Sequence, residues 1–193
     1  MVSQVATIVD ATLDARIAQR ITEERRRRDW SAADLAERSG VSRAMISRIE
    51  REEAKPTASL LGKISSAFGL PLSDFFASTE APISRISLAA TREAWRDPET
   101  GYIRTPISPS GDRILQLTEV TLPAGARVRY PAGAYEFIHQ QIWVMEGRLT
   151  FTEGRQQHDL SAGDCLTLGP PSDCSFANDT RKKCRYLVAV VRR

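Results

Sequence analysis

The chain is poor in the residues that build metal centres and disulfide frameworks. Its 193 residues include three cysteines and two histidines. An odd, small number of cysteines makes no disulfide framework and fits a reduced, cytoplasmic chain. No run of about 18 apolar residues occurs, which excludes a membrane-spanning helix. The first ten residues lack a basic start followed by an apolar core, so no secretory signal is expected. Charge of one sign is also scarce. The total is 27 − 24 = +3, with +1 in residues 1–78 and +2 in the remainder. Bulk charge therefore makes neither half a polybasic nucleic-acid binder, and any affinity for DNA must come from local clusters. What remains is an ordinary globular composition, 41% hydrophobic and 26% charged.

The chain changes character near residue 78. Before it, apolar residues recur at spacings of three and four, and the only prolines are Pro56 and Pro71. After it come eight of the ten prolines, with short alternating apolar segments between Gly, Pro, Asp and Asn. The first part reads as helices and the second as short strands. Residues 1–77 are expected to form a helical domain and residues 112–193 a β domain. Residues 78–111 form a linker, with a first strand of the β domain expected at 84–90.

Five helices are expected in the first part. The first spans about 12–28, with Leu13, Ile17 and Ile21 on one face, and Asp29 ends it in a left-handed conformation. Ser31 caps 32–38, Gly40 breaks that helix, and Ser42 caps 43–51. Thr57 caps 58–68, which Gly69 stops, and Ser73 opens a short fifth helix burying Phe75 and Phe76.

Residues 32–51, AADLAERSGVSRAMISRIER, meet the demands of a helix-turn-helix. Ala36 is small where two helices cross, and Gly40 accepts positive φ in the tight turn. Leu35, Val41, Ile46 and Ile49 supply a shared core. Here the chain resembles the XRE, or lambda-repressor-like, transcriptional regulators over about residues 14–76. The resemblance implies that the second motif helix enters the major groove of a double-stranded DNA operator. It makes Ser42, Arg43, Ala44, Ser47 and Arg48 the candidate readers, Arg43 as a bidentate partner of guanine. The family often has Gln where this chain has Ala32. It also implies an ion pair between Arg25 and Glu50. The arginines 25–28 read either as a solvated helix end or as phosphate contacts through Arg26, Arg27, Arg28 and Lys55, beside Ser31 and Thr57.

Strands are expected at 114–122, 127–130, 141–152, 156–160, 164–168, 175–177 and 185–191. The segments PAG, VMEGRLTF and DLSAGDCLTLGPPSDCSFAND resemble a cupin, a jelly-roll barrel, over about residues 112–191. The resemblance implies a metal site of His and Glu ligands, and this sequence departs from it. Gln140 stands in the Glu slot, Cys174 in a His slot, and no histidine occurs in 130–135. Neither metal nor other cofactor is expected. Tyr130, Gln140 and Cys174, with Arg127 or Arg129, are instead candidates to line a small-ligand pocket. Cys165 and Cys184 are expected as small buried apolar residues.

The chain thus reads as a two-domain α + β protein, an all-α five-helix domain followed by an all-β jelly roll. Its expected role is a non-enzymatic, one-component regulator in which the second domain senses a small-molecule effector and forms a homodimer. A metal-dependent cupin enzyme with a DNA-binding appendage, a ligand-free dimeric DNA-binding protein and an antitoxin-type partner of another protein are the alternatives.

Overall fold

The structure, a computed structural model, describes residues 2–76, 84–109 and 114–192, with the side chains of the first helix described from Leu13 onward. The expected boundary between residues 77 and 78 lies outside the described residues. Four α-helices come first: α1 Val2–Arg26, α2 Ala32–Ser39, α3 Arg43–Glu50 and α4 Ala58–Phe68. The fifth helix is a correction. It is a 3-10 turn, Leu72–Phe75, preceded by Pro71 and without a side-chain cap. It nevertheless buries Phe75 and Phe76.

Local chemistry explains the helix boundaries. Asp29 takes φ 54°, ending the chain's first helical run. Ser31 Oγ accepts from Asp34 N at 3.2 Å, and the Asp34 carboxylate accepts from Ser31 N at 2.7 Å, a reciprocal cap. Gly40 and Gly69 close α2 and α4 with φ of 65° and 66°. Ser42 and Thr57 cap α3 and α4. Leu13, Ile17, Ile21, Leu35, Val41, Ile46 and Ile49 are all buried in one cluster.

Ten strands follow: β1 Trp95–Arg96, β2 Ile103–Pro106, β3 Leu115–Leu122, β4 Arg127–Tyr130, β5 Ile138–Glu146, β6 Arg148–Glu153, β7 Gln156–Ser161, β8 Cys165–Thr167, β9 Cys174–Ala177 and β10 Cys184–Arg192. No strand forms at 84–90; the linker instead contributes the β1–β2 hairpin. The long strand expected at 141–152 is two strands broken at Gly147. That glycine has φ 83°, and a Cβ there would sit 2.7 Å from the Lys183 carbonyl oxygen.

One sheet has the order β1-β2-β3-β10-β5-β8 and the other β4-β9-β6-β7. From β3 onward the pairs are β3 with β10, β4 with β9, β5 with β8 and β6 with β7. The first strand pairs with the last, the second with the next to last, and so inward. That nested order defines an eight-stranded jelly roll, the architecture of cupins. No ladder joins the two sheets among the described residues, so the expected barrel is two facing sheets.

The helical and β regions share one hydrophobic cluster. Helix α4 lies on β4 and the 3-10 turn Ala132–Tyr135 that follows it. A Cβ at Gly62 would stand 2.5 Å from Tyr130 Cδ1. Asp97, buried beside β1, accepts from Ala58 N at 2.9 Å, placing a carboxylate at the positive end of α4. Ion pairs Arg16–Glu93 and Arg192–Asp74 also cross between the regions.

Gly62→Ala tests this contact. In an exposed helix the change stabilises by about 1 kcal/mol, whereas overpacking costs about 1–3 kcal/mol. Here the Tyr130 ring leaves no room, so net destabilisation is expected, read as a lower urea midpoint.

Candidate nucleic-acid interface and jelly-roll cavity

Helix α3 presents Ser42, Arg43, Ala44 and Arg48 exposed, with Ser47 half-buried, while Ile46 and Ile49 face the core. Arg43 makes no hydrogen bond or ion pair among the described residues. The helix is held from below by Arg25, which donates to Glu50 through Nε at 2.7 Å and Nη2 at 2.8 Å. A third bond, Nη1 to the Trp30 carbonyl at 2.9 Å, fixes the guanidinium. This bidentate pair raises the Arg25 pKa, chiefly through the Glu50 hydrogen bond. It joins the end of α1 to the end of α3, as the resemblance implied.

The arginines beside it have unlike roles. Arg26 and Arg27 are exposed, and Arg27 reaches back to Glu24 at 3.3 Å. Arg28, expected among the phosphate contacts, is engaged within the protein. Its Nη1 donates to both the Glu24 carboxylate and carbonyl, its Nη2 to the Phe68 carbonyl at 2.7 Å. Its guanidinium lies 5.0 Å from the Phe68 ring centre. Those bonds make Arg28 a clasp between α1 and the end of α4. Glu24, buried, gathers Arg20, Arg27 and Arg28. Lys55 pairs with Asp14 at 2.7 Å. Ser31, Ser42 and Thr57 spend a lone pair on capping, which leaves each hydroxyl proton to donate.

The interior of the jelly roll holds a small cavity that opens at its mouth. Tyr130 and Gln140 line it, both buried, as their alternation on β4 and β5 expects. Arg129 does not. It lies one residue before Tyr130, so the strand turns it to the exposed outer face. Arg127 also faces out and pairs with Asp179 at 3.2 Å. Cys174 is buried opposite Tyr130 in the ladder, but it is not part of the cavity wall, and its thiol donates to the Ser172 carbonyl at 3.2 Å. Burial, then the charge of Glu153, pushes that thiol up to about 12.

These side chains do not fit a metal. Gln140 is a neutral amide, Cys174 holds its proton, and His139 is turned outward. No cluster of three His, Cys, Asp or Glu suited to a metal occurs among the described residues. Asn178 clamps a turn: its Nδ2 donates to the Leu122, Pro123 and Lys182 carbonyls.

Sequence reasoning named Tyr130 and Gln140 and missed most of the cavity wall. Arg104 comes from β2 and Tyr102 from the residue just before it, within the segment read as linker, and Ser73 from the 3-10 turn of the helical region. Tyr135 and Tyr186 also line it. The i, i+2 spacing of Tyr102 and Arg104 put both on one strand face, a pattern too short to stand out among prolines.

A helix-turn-helix family model, HTH_3, matches residues 21–75. The HTH-type transcriptional regulator SutR of Escherichia coli is 37% identical over 141 residues, covering 72% of this chain and 74% of that protein. The chain belongs to the HTH-type transcriptional regulators. A second member, PuuR of E. coli, is 24% identical over 178 residues, 89% of this chain and 92% of PuuR. The crystal structure of an HTH_3 family transcriptional regulator from Vibrio cholerae superposes with TM-score 0.75 at 26% identity, covering 94% of this chain and 98% of that one. The regulator therefore combines a helix-turn-helix DNA-binding region with a cupin-like β region. Its family membership assigns DNA binding to the helical region, and leaves the cavity's purpose to the side chains that line it.

The cysteines differ in environment. Cys165, expected buried, is exposed because β8 is an edge strand that turns it outward. Cys184 is buried, with its thiol pushed up to about 11, first by burial and then by Glu146. At pH 8 iodoacetamide should modify Cys165 alone in the native protein, since only thiolate reacts. Peptide mapping after a short pulse checks this, and early labelling of Cys174 would contradict the burial assigned to it.

Proposed function

We propose that this regulator binds a double-stranded operator as a homodimer, with α3 in the major groove, and that its cupin-like cavity takes a small-molecule effector. It works in the cytoplasm on chromosomal DNA, without catalysis of its own. The observation that carries the operator reading is the exposed set Ser42, Arg43, Ala44 and Arg48 at α3, held in place by the half-buried Arg25–Glu50 pair. Arg43 lies at the start of the helix, where side chains of such motifs meet base edges. Two protomers would read half-sites about 34–36 Å apart along the duplex.

Dimerisation is supported by the outer face of the six-stranded sheet. Trp143 is 48% exposed there, beside Leu187 in the ladder, and Leu115 and Val191 are also exposed on that sheet. Apolar side chains of this size on one sheet face mark an association surface. The effector reading is supported by a lined cavity with polar groups and no metal-binding set. An enzyme reading has less support, because the slots of the cupin ligands hold Gln140 and Cys174.

Operator selection from genomic fragments supplies the duplex for the first test. Arg43→Ala should weaken operator binding by about tenfold or more and relax the preference at one base position. Arg27→Ala should weaken operator and random duplexes about equally and reduce the salt slope by about one. Full specificity in Arg43→Ala would place the wrong face of α3 against DNA. For the dimer, sedimentation of the full chain should give a homodimer, and Trp143→Lys should shift it toward monomer. A parent chain that stays monomeric at high micromolar concentration refutes the dimer.

A further inference from the structure

The cavity has more hydrogen-bond donors than acceptors. Arg104 donates from Nη1 to Tyr102 Oη at 2.8 Å, and Tyr130 Oη donates to the same oxygen at 3.4 Å. With both contacts accepted, the Tyr102 proton has no acceptor among the described residues. Arg104 itself is 6% exposed, and its Nε is buried without a partner. No carboxylate lies within ion-pair distance of it among the described residues. The Phe76 ring, 5.5 Å from the guanidinium carbon, is its remaining electrostatic neighbour.

The rest of the wall repeats this imbalance. Ser73 Oγ is buried without a partner. The hydroxyls of Tyr135 and Tyr186 have no hydrogen-bond partner among the described residues. Burial raises the Tyr130, Tyr135 and Tyr186 phenols well above their ordinary value, so each keeps its proton and can donate. Against these donors stands one side-chain acceptor that is not itself a hydroxyl, the Gln140 amide oxygen. A buried guanidinium without a counter-ion is costly, and a surplus of donors adds to that cost. Both deficits are met by one kind of group, an anion with two acceptor oxygens.

We propose that the cavity binds a small carboxylic acid as its anion, the carboxylate on Arg104 and Tyr102 and the body against Ile138, Val188 and Val190. This rests on the reading of the cupin-like region as an effector sensor and names the class of effector. One guanidinium balances one negative charge, and its planar fork matches a carboxylate bidentately. A doubly charged phosphate would bring a second negative charge with no second cation in the wall to meet it, and an amine would bury a second cation. Ser73 belongs to the turn that follows α4, so the same anion touches the helical region. An acid bound there is linked to the DNA-reading region by direct contact, and its occupancy biases how that region sits.

Calorimetric titration of the full chain with acetate, propionate, butyrate and benzoate tests this, with propionamide, propylamine and inorganic phosphate as matched probes. At least one acid should bind. The amide, the amine and phosphate should bind about tenfold or more weakly than the best acid, the loss expected for a charge-assisted pair. Arg104→Met should abolish binding, and Arg104→Lys should keep part of it. Ser73→Ala should weaken binding about threefold, a smaller effect in keeping with one neutral hydrogen bond. Binding by none of the four acids, equal binding of propionamide, tighter binding of phosphate, or parent-like acid binding in Arg104→Met would each overturn the proposal. If Arg104→Met fails to fold, the comparison of acid, amide and amine on the parent chain decides alone. Operator affinity is read in the same samples. Acid binding that leaves it unchanged upholds the anion site and refutes the sensor reading.

Discussion

Helix α4 belongs to two architectures at once, and the rest of the molecule is arranged around that fact. Its outer turns complete the helix-turn-helix core through Leu61 and Ile64, while Gly62 presses on Tyr130 of the jelly roll. Only glycine leaves space for that ring. Asp97 then anchors the helix start from the β side, and Arg28 clasps its end to α1 through the Phe68 carbonyl. A helix fixed at both ends and along one face cannot pivot freely between regions. This is why the hydrophobic cluster runs through both without a break.

The same geometry puts the cavity next to the DNA-reading region. Tyr130 touches α4 with its ring and reaches Tyr102 with its hydroxyl. The chain leaves α4 at Gly69 and within four residues supplies Ser73 to the cavity wall. Arg104 packs over Phe76, whose ring lies tilted against Trp95 with centroids 5.3 Å apart. Thus the polar floor of the cavity rests on side chains from the helical region. In the opposite direction, α4 bears on the core beneath α3, which Arg25 and Glu50 tie to α1.

Much of this was legible in the sequence, and what was not has definite causes. Caps at Ser31, Ser42 and Thr57 and left-handed stops at Asp29, Gly40 and Gly69 act locally, so the helix ends could be read from neighbours in the chain. The strand alternation that put Gln140 inward and His139 outward is likewise local. The split of 141–152 into two strands depended on Gly147 meeting Lys183, a contact between distant segments. The β1–β2 hairpin was hidden because two-residue and four-residue strands carry almost no periodicity, and their stability comes from pairing with β3. Arg104 and Tyr102 were lost with it. The clasp through Arg28 was not legible because a run of four arginines gives no hint which one finds a buried carboxylate. Arg129 was misplaced for a simpler reason, since Tyr130 and its neighbour cannot share a strand face.

The central claim is that α4 makes the helical and β regions one cooperative unit. Trp30 stacks on Phe68 in the helical region, and Trp143 stands on the outer face of β5. Two variants, each keeping only one of these tryptophans and both with the third, Trp95, replaced by Phe, report the regions separately during equilibrium unfolding in urea. Coincident transitions from both probes are the predicted result for a single cooperative unit. Two separated transitions, with the Trp30 signal lost while the Trp143 signal persists, would contradict it.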